Sequence, residues 1–322
     1  MILYIDVVGT CNLKCPSCPV GNMPDIKNAK GIMKPKQLEA ILEKATKECK
    51  VDFVGLFNWG DPLINPYLPE LIRTVKKFGL YCMLSTNLNL LKEEDELMKS
   101  EPDAFRVSMS GYTQDNYGLN HRGGDINKVF ENLDRLVAAK YRTGSKTPIT
   151  IYYHRYLGNL DDEFKLREFA AKRDIIFETG WAYLMPVEKM IALAYNDPNK
   201  LITDEDREVL ARLVLPFHDG IAIAERYRDK PCYLFHEQLV IDVQGNVSLC
   251  CAIYDQSKYN VGNFLELPLS EITENKHNQS ICATCIQKGI HIYAGQNSPE
   301  FDHAATLNVF KHYAQVFNIK LG

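Results

Sequence analysis

No apolar run in this chain approaches the ~20 residues needed to cross a bilayer. The first residues lead straight into a strand-like segment, without the charged, apolar and small-residue succession of a signal peptide. Basic excess is missing too: 37 Lys and Arg stand against 41 Asp and Glu, a net charge of −4, so there is no positive field for nucleic acid. Internal repeats and low-complexity tracts are also absent. The expectation is a cytoplasmic protein with neither membrane nor nucleic-acid partners, and 322 residues suffice for one large domain and a small one. What the chain has instead is cysteine. Its ten cysteines are clustered, and without a secretory signal that clustering points to metal rather than to disulfides.

The first group is Cys11, Cys15 and Cys18, spaced CxxxCxxC just after the apolar run Ile2 to Val8, which reads as a buried strand. This spacing suits a loop that wraps three thiolates around one inorganic cluster. A four-iron cluster has four corners, so three ligands leave one iron open to react. A structural zinc site and a simple ferredoxin-like cluster are the alternatives. Zinc knuckles favour paired CxxC units, and a ferredoxin needs a fourth cysteine close by.

Behind this loop, strand and helix signals alternate. Helical periodicity covers 34–49, 66–78, 92–99, 126–141 and 161–172, the last with Asp161 or Asp162 as its cap. Strand patterns cover 51–57, 81–84, 105–109 and 148–153, and another opens at 175. Such alternation implies a parallel α/β sheet with right-handed crossovers. Residues 181–230 form a connection with helical patches, among them 203–217, and show no obvious chemistry.

The second group is Cys232, Cys250, Cys251, Cys282 and Cys285. Strand-like 239–243 and 247–250 flank Gln244-Gly245-Asn246, a hairpin signal. Cys232 precedes the hairpin, one cysteine of the Cys250–Cys251 pair ends it, and a helix beginning near Ser270 leads to the CxxC of Cys282 and Cys285. Cys250 and Cys251 cannot point the same way in a strand. Four thiolates saturate either an iron–sulfur cluster or a zinc ion. Cys49 and Cys82, in a helix end and a strand, read as buried structural thiols.

These motifs resemble the radical S-adenosylmethionine (radical SAM) enzymes of the SPASM/Twitch subgroup, nearest to the aminocyclitol dehydrogenase type with one auxiliary cluster. The resemblance implies a partial (β/α)6 barrel over 1–180, the helical connection over 181–230, a Twitch-type auxiliary-cluster domain over 231–290 and a helical tail over 291–322. It implies two [4Fe–4S] clusters, one on Cys11, Cys15 and Cys18 and one on Cys232, Cys250, Cys282 and Cys285, together with SAM. In this family the open iron chelates SAM, and an electron from the cluster cleaves it to a 5′-deoxyadenosyl radical that abstracts hydrogen from substrate. The turn Trp59-Gly60-Asp61-Pro62 is similar to the family's GGEP segment, with Trp59 for the first glycine and Asp61 for the glutamate. Gly60, Asp61 and Pro62 are therefore expected at the SAM ammonium, Ser85, Thr86 and Asn87 along the cofactor cleft, Ser108 and Ser110 at the ribose, and Arg122 at the methionine carboxylate. Ser17 stands where the family often has an aromatic residue.

Substrate contacts are expected from the inward faces of the fifth and sixth strands: Tyr153, Arg155, Glu178 and Trp181. Alternation groups Tyr153 with Arg155 and Tyr152 with His154. Arg155, His154 and Glu178 are candidates for a base that takes a hydroxyl proton. The expected reaction is oxidation of a sugar or cyclitol, with the auxiliary cluster accepting an electron and a flavodoxin or ferredoxin-type protein as donor. The alternatives are epimerisation or crosslinking of a ribosomal peptide, against which the absence of a leader-binding domain before the first strand weighs, and a non-enzymatic iron–sulfur electron carrier.

Overall fold

The computed structural model describes residues 1–197, 201–295 and 298–319. Parts of the connecting segment and of the C-terminal tail, 198–200, 296–297 and 320–322, lie outside the described residues. Six strands follow one another along the chain: β1 (Ile2–Ile5), β2 (Phe53–Gly55), β3 (Cys82–Thr86), β4 (Ala104–Met109), β5 (Ile149–Arg155) and β6 (Ile176–Trp181). Each pairs in parallel with the next. Helices Pro35–Glu48, Leu68–Lys77, Glu94–Lys99, Ile126–Thr143 and Leu160–Ala171 fill the crossovers.

The helices form where apolar residues recur on one face. Leu38, Ile41, Leu42 and Ala45 are the buried residues of the first. The longest starts at Asp125, whose carboxylate accepts from the N–H groups of Asn127 and Lys128, and stops at Gly144, whose φ of 71° favours glycine. Asp162 is not a cap. It lies in the first turn of its helix, and its carboxylate accepts from Tyr112 N, Thr113 N and Asn116 Nδ2, fixing the loop after β4. That loop carries a helix, Gln114–Asn120, that periodicity alone does not reveal.

Three more strands follow: β7 (Gln238–Ile241), β8 (Asn246–Ser248) and β9 (Asn260–Asn263). β7 pairs in parallel with the free side of β1, from Ile2↔Gln238 to Ile5↔Ile241, and β8 and β9 add antiparallel. The result is one sheet of order β6-β5-β4-β3-β2-β1-β7-β8-β9. The C-terminal hairpin thus extends the sheet of the first domain, and the second cysteine group is tied to the strand that feeds the first.

Alternation decides which side chains face the helices. Leu3, Ile5, Phe105, Val107, Met109, Ile151 and Tyr153 are buried in the core. Their neighbours Arg106, Ser108 and His154 line the hollow of the sheet. Among the described residues no helix is long and apolar enough to cross a membrane.

Candidate active site

The hollow ends in a cavity of about 300 Å³ lined by Cys11, Cys15 and Cys18 together with residues from the ends of β2 to β6. The cysteine loop is folded by its own backbone: Cys18 N donates to Cys15 O at 3.1 Å, and Asn22 N to Cys18 O at 3.0 Å. The short helix Pro19–Asn22 follows. The loop is anchored to the rest of the chain through Ser17, whose carbonyl accepts from Met185 N and whose hydroxyl accepts from Tyr156. Asn22 Nδ2 donates to the carbonyls of Pro16 and Met185. At the open side, Asn87 Nδ2 lies 3.7 Å and Leu13 N 3.5 Å from Cys11 Sγ. Burial pushes the thiols up, Cys11 to about 11 and Cys18 to about 12, so thiolates at these positions need a positive centre beside them.

Two carboxylates lock the turn after β2. Asp6, just past β1, accepts from Asn58 N, Trp59 N and Gly60 N at 2.9–3.0 Å through one oxygen. Asp61 accepts from Leu63 N, Thr86 Oγ1 and Asn87 N. Asp61 lines the cavity, yet its oxygens are engaged by protein donors, and burial raises its pKa. Gly60 has to be glycine: a Cβ there would sit 2.1 Å from Val8 O and 3.1 Å from Thr10 O. Gly60→Ala should therefore push the turn off the cysteine loop and weaken SAM binding roughly tenfold or more, measured by equilibrium dialysis. Unchanged affinity would show that this close approach is dispensable.

Asp6 also gives a pH signature. Burial, the largest influence, pushes its carboxyl from 3.8 up to about 6 against the three N–H groups that favour its charge. The stability contributed by its proton is fully present below pH 3.8 and is lost as pH rises through about 6. A rise of this size corresponds to about 3 kcal/mol. Asp6→Asn, which keeps an acceptor but cannot ionise, should remove that slope. In anaerobic urea titrations the wild-type midpoint should fall relative to the variant across this window, and parallel curves would contradict the assignment.

The remaining candidates separate into two sets. Ser85, Thr86, Asn87, Ser108 and Ser110 line the cavity, whereas Pro62 opens the short 3₁₀ turn Pro62–Ile64 beside it. Arg122 does not line it. Its Nε donates to Lys14 O at 2.9 Å and its guanidinium pairs with Glu205, at the surface. Tyr153 and Arg155 are on the other side of β5: the Tyr153 hydroxyl donates to Asn159 O in the core, and Arg155 pairs with Glu163 and stacks over Trp181. The sequence pattern groups these residues correctly by alternation but suggests the wrong face, because both faces of β5 carry aromatic and basic residues. Trp181 Nε1 donates to Asp302, and Glu178 is exposed and does not line the cavity.

The inward set includes residues that motif spacing does not single out. Arg106 lines the cavity, with Nε donating to Ser85 Oγ at 3.0 Å. His121 Nδ1 is 2.6 Å from Ser110 Oγ, and its ring stacks on Tyr117. Burial lowers His121 to about 3, and burial with Arg106 lowers His154 to about 4, so both are neutral near pH 7. The alternation of residues 104–110 carries the missed signal, since it sets Arg106, Ser108 and Ser110 on one face.

The second site lies under the hairpin. Cys232 precedes the short helix Tyr233–His236, Cys250 ends the hairpin, and Cys282 and Cys285 lie one turn apart on helix Ser280–Gln287. All four line one small apolar cavity with Leu249, Ile253 and His291. Cys251 does not line it; it acts on Tyr4, Tyr183 and Tyr233, secondary to burial in raising their pKa values. Buried Lys276 donates to the carbonyls of Phe235 and Gln238, a cation set beside the thiols. Trp59 ties the two sites together: it lines the first cavity, and its Nε1 donates to Ile253 O at 3.2 Å.

The radical SAM superfamily model matches residues 5–165, half of the chain, and these include the three-cysteine loop and the strands that line the cavity. The chain belongs to the radical SAM superfamily. A second model, an iron–sulfur cluster-binding domain (SPASM), matches residues 232–292 and so includes the four cysteines of the second site. The PqqA peptide cyclase of Streptomyces rochei is 26% identical over 292 residues, 84% of this chain and 74% of that protein. A cysteine-type anaerobic sulfatase-maturating enzyme of Clostridium novyi (strain NT) is 24% identical over 322 residues, covering 85% and 82%. The solved structure of native anSMEcpe with bound AdoMet is 18% identical and aligns with a TM-score of 0.56 over 99% of this chain and 98% of that one, a likeness of fold.

The residues present fit the groups that a radical SAM protein binds. Among the described residues no three metal-binding side chains converge closely enough for a single ion. In each site the thiols instead surround a cavity, the arrangement a cluster held at its corners needs. Both cavities also hold polar atoms without protein partners. In the first it is Asn58 Nδ2, buried and unbonded. In the second it is His291 Nδ1: Nε2 lies 3.0 Å from the Lys230 carbonyl and so carries the proton, leaving Nδ1 bare. An unpaired buried polar atom on the wall of each cavity fits a group bound there.

Proposed function

We propose that this radical SAM protein is an oxidoreductase that removes hydrogen from a small hydroxylated molecule, a sugar or cyclitol, and carries two four-iron clusters. When bound, the reduced first cluster and SAM supply the hydrogen-abstracting species. The observation that carries the reading is the closed second site: four thiols in an apolar cavity, joined to the first site through β7 paired on β1. Four thiols saturate a four-iron cluster, which suits it to accept an electron rather than to bind substrate.

The chain's own residues supply the rest. Cys11, Cys15 and Cys18 would hold the first cluster at the cavity wall. Asn87 orients Cys11 and, through Asp61, the turn after β2. Ser108 and Ser110 offer hydrogen bonds to ribose and hydroxyl groups. His154, on the cavity wall, is our candidate to take the proton leaving a hydroxyl group. The external reductant is a flavodoxin or ferredoxin-type protein.

Modification of a peptide is the second reading, and the names of the two relatives matched over most of their length favour it. Anaerobically reconstituted protein, SAM and dithionite should be offered sugars, cyclitols and peptides, with 5′-deoxyadenosine and product mass as readouts. Loss of two hydrogens from a hydroxylated substrate supports oxidation. A crosslinked peptide, or inverted stereochemistry at constant mass, would overturn it. Absence of any SAM cleavage would leave only an electron carrier.

A further inference from the structure

Arg106 stands in the middle of β4, and Ser108 and Ser110 follow it on the same face toward the rim of the cavity. At about 3.3 Å of rise per residue, Arg106 lies roughly 7 Å deeper than Ser108 and roughly 13 Å deeper than Ser110. The cysteine loop and Asn87 lie at the rim end of this series, beyond the carboxyl ends of the strands. Arg106 belongs to a lower tier with Ser85, its partner in register on β3, and with Phe57 and Tyr152.

The guanidinium is held without being neutralised. Its Nε donates to Ser85 Oγ at 3.0 Å, and its carbon lies 5.3 Å from the Phe57 ring centre and 5.1 Å from that of Tyr152. Among the described residues no carboxylate forms an ion pair with it, and Nη1 and Nη2 have no acceptor. Glu178 acts on it only as the weakest of several influences. The contrast with the other partly buried arginines is sharp: Arg135 pairs with Glu94, Arg155 with Glu163 and Arg173 with Asp134. Asn58, the neighbour of Phe57 in sequence, adds a buried amide donor without a partner on the same cavity. Arg106 is half-buried, and its terminal nitrogens open onto the cavity without a carboxylate to neutralise them. Here the fork is fixed by two rings and a hydroxyl, and its two terminal nitrogens are left for a ligand.

We propose that Arg106, assisted by Asn58, binds an oxyanion of the substrate, a carboxylate or a phosphate, and that it does not bind the carboxylate of SAM. The planar fork offers two parallel donors, the geometry that carboxylates and phosphates accept. The backbone of Arg106 lies below that of Ser108 and Ser110 on β4, so an anion on its fork would sit toward the floor of the cavity. This rests on the small-molecule reading and narrows it: the substrate class is an acidic or phosphorylated sugar or cyclitol.

The test titrates glucuronate, glucose 6-phosphate and neutral glucose into reconstituted, SAM-loaded wild-type, Arg106→Gln and Arg106→Lys proteins, with calorimetry as the readout. At least one anionic sugar should bind wild type about tenfold more tightly than glucose, lose about tenfold or more in Arg106→Gln, and recover part of that in Arg106→Lys. SAM affinity and substrate-free formation of 5′-deoxyadenosine should change by less than about twofold. If neither anion outbinds glucose, or if Arg106→Gln leaves anion binding intact, the assignment fails. A parallel loss of SAM affinity would instead give Arg106 to the methionine carboxylate and overturn the proposal. Cluster absorbance and circular dichroism check folding, and Arg106→Lys carries the comparison if the glutamine variant does not fold. Wild-type protein that binds the anion but cleaves no SAM would sink the proposed activity and leave this site standing.

Discussion

Replacing Cys11, Cys15 and Cys18 together with alanine is expected to abolish 5′-deoxyadenosine formation altogether, while the iron bound through Cys232, Cys250, Cys282 and Cys285 is retained. The two thiol groups line separate cavities and share no lining residue. On the proposed reading each of these thiolates would hold one corner of the first cluster, and without them nothing would keep it beside Asn87 and the turn at Gly60. The fold itself should survive, because the loop is held by Ser17, Asn22 and Met185 as well as by its thiols. Anaerobic iron and sulfide analysis with quantitation of 5′-deoxyadenosine decides the matter. Residual reductive cleavage by the triple variant would place the SAM chemistry elsewhere.

The largest stability effect is expected at Lys189. Its ammonium meets the Asp206 carboxylate at 2.5 Å, and the two side chains are 1% and 0% exposed. Lys189 also donates to Asn22 O, at the end of the short helix that follows Cys18. Removing one partner of such a pair strands the other charge and costs roughly 3 to 5 kcal/mol. Lys189→Met should therefore lower stability by about that much and loosen the cysteine loop. Lys189→Met combined with Asp206→Asn should lose clearly less, because the amide still serves Thr203 and no charge is stranded. Urea unfolding under anaerobic conditions measures both. Equal losses in the single and double variants would show that the pair's charge is not what matters.

The α/β architecture was legible because apolar periodicity switches between two and 3.6 residues along the first half of the chain, and the edges of the helices fell within a few residues of the observed ones. The thiol groups were legible because spacing is a local property. What escaped depends on long-range partners or on choosing between faces. The local match around Arg122 suggested a cofactor contact, but its guanidinium is taken by Glu205, 83 residues away. Alternation does not tell which face of β5 holds Tyr153 and Arg155, because both faces carry similar side chains; only the packing of Leu160–Ala171 against the sheet decides the matter. Asp6 reads as an isolated acid in an apolar strand, and its meaning emerges only when three N–H groups from the turn after β2 converge on it. The Lys189–Asp206 pair lies in a segment that reads as a featureless connection, because two charges 17 residues apart on separate helices leave no pattern in the sequence.

Whether the first cluster keeps an open iron can be read by electron paramagnetic resonance of the reduced protein with and without SAM, on wild type and on the variant lacking Cys282 and Cys285. With its second cluster removed, that variant isolates the signal of the cluster on Cys11, Cys15 and Cys18. The variant should give a four-iron signal that shifts when SAM is added, and wild type alone should show a second signal that SAM does not move. A variant signal that SAM leaves unchanged would contradict an open iron facing the cavity.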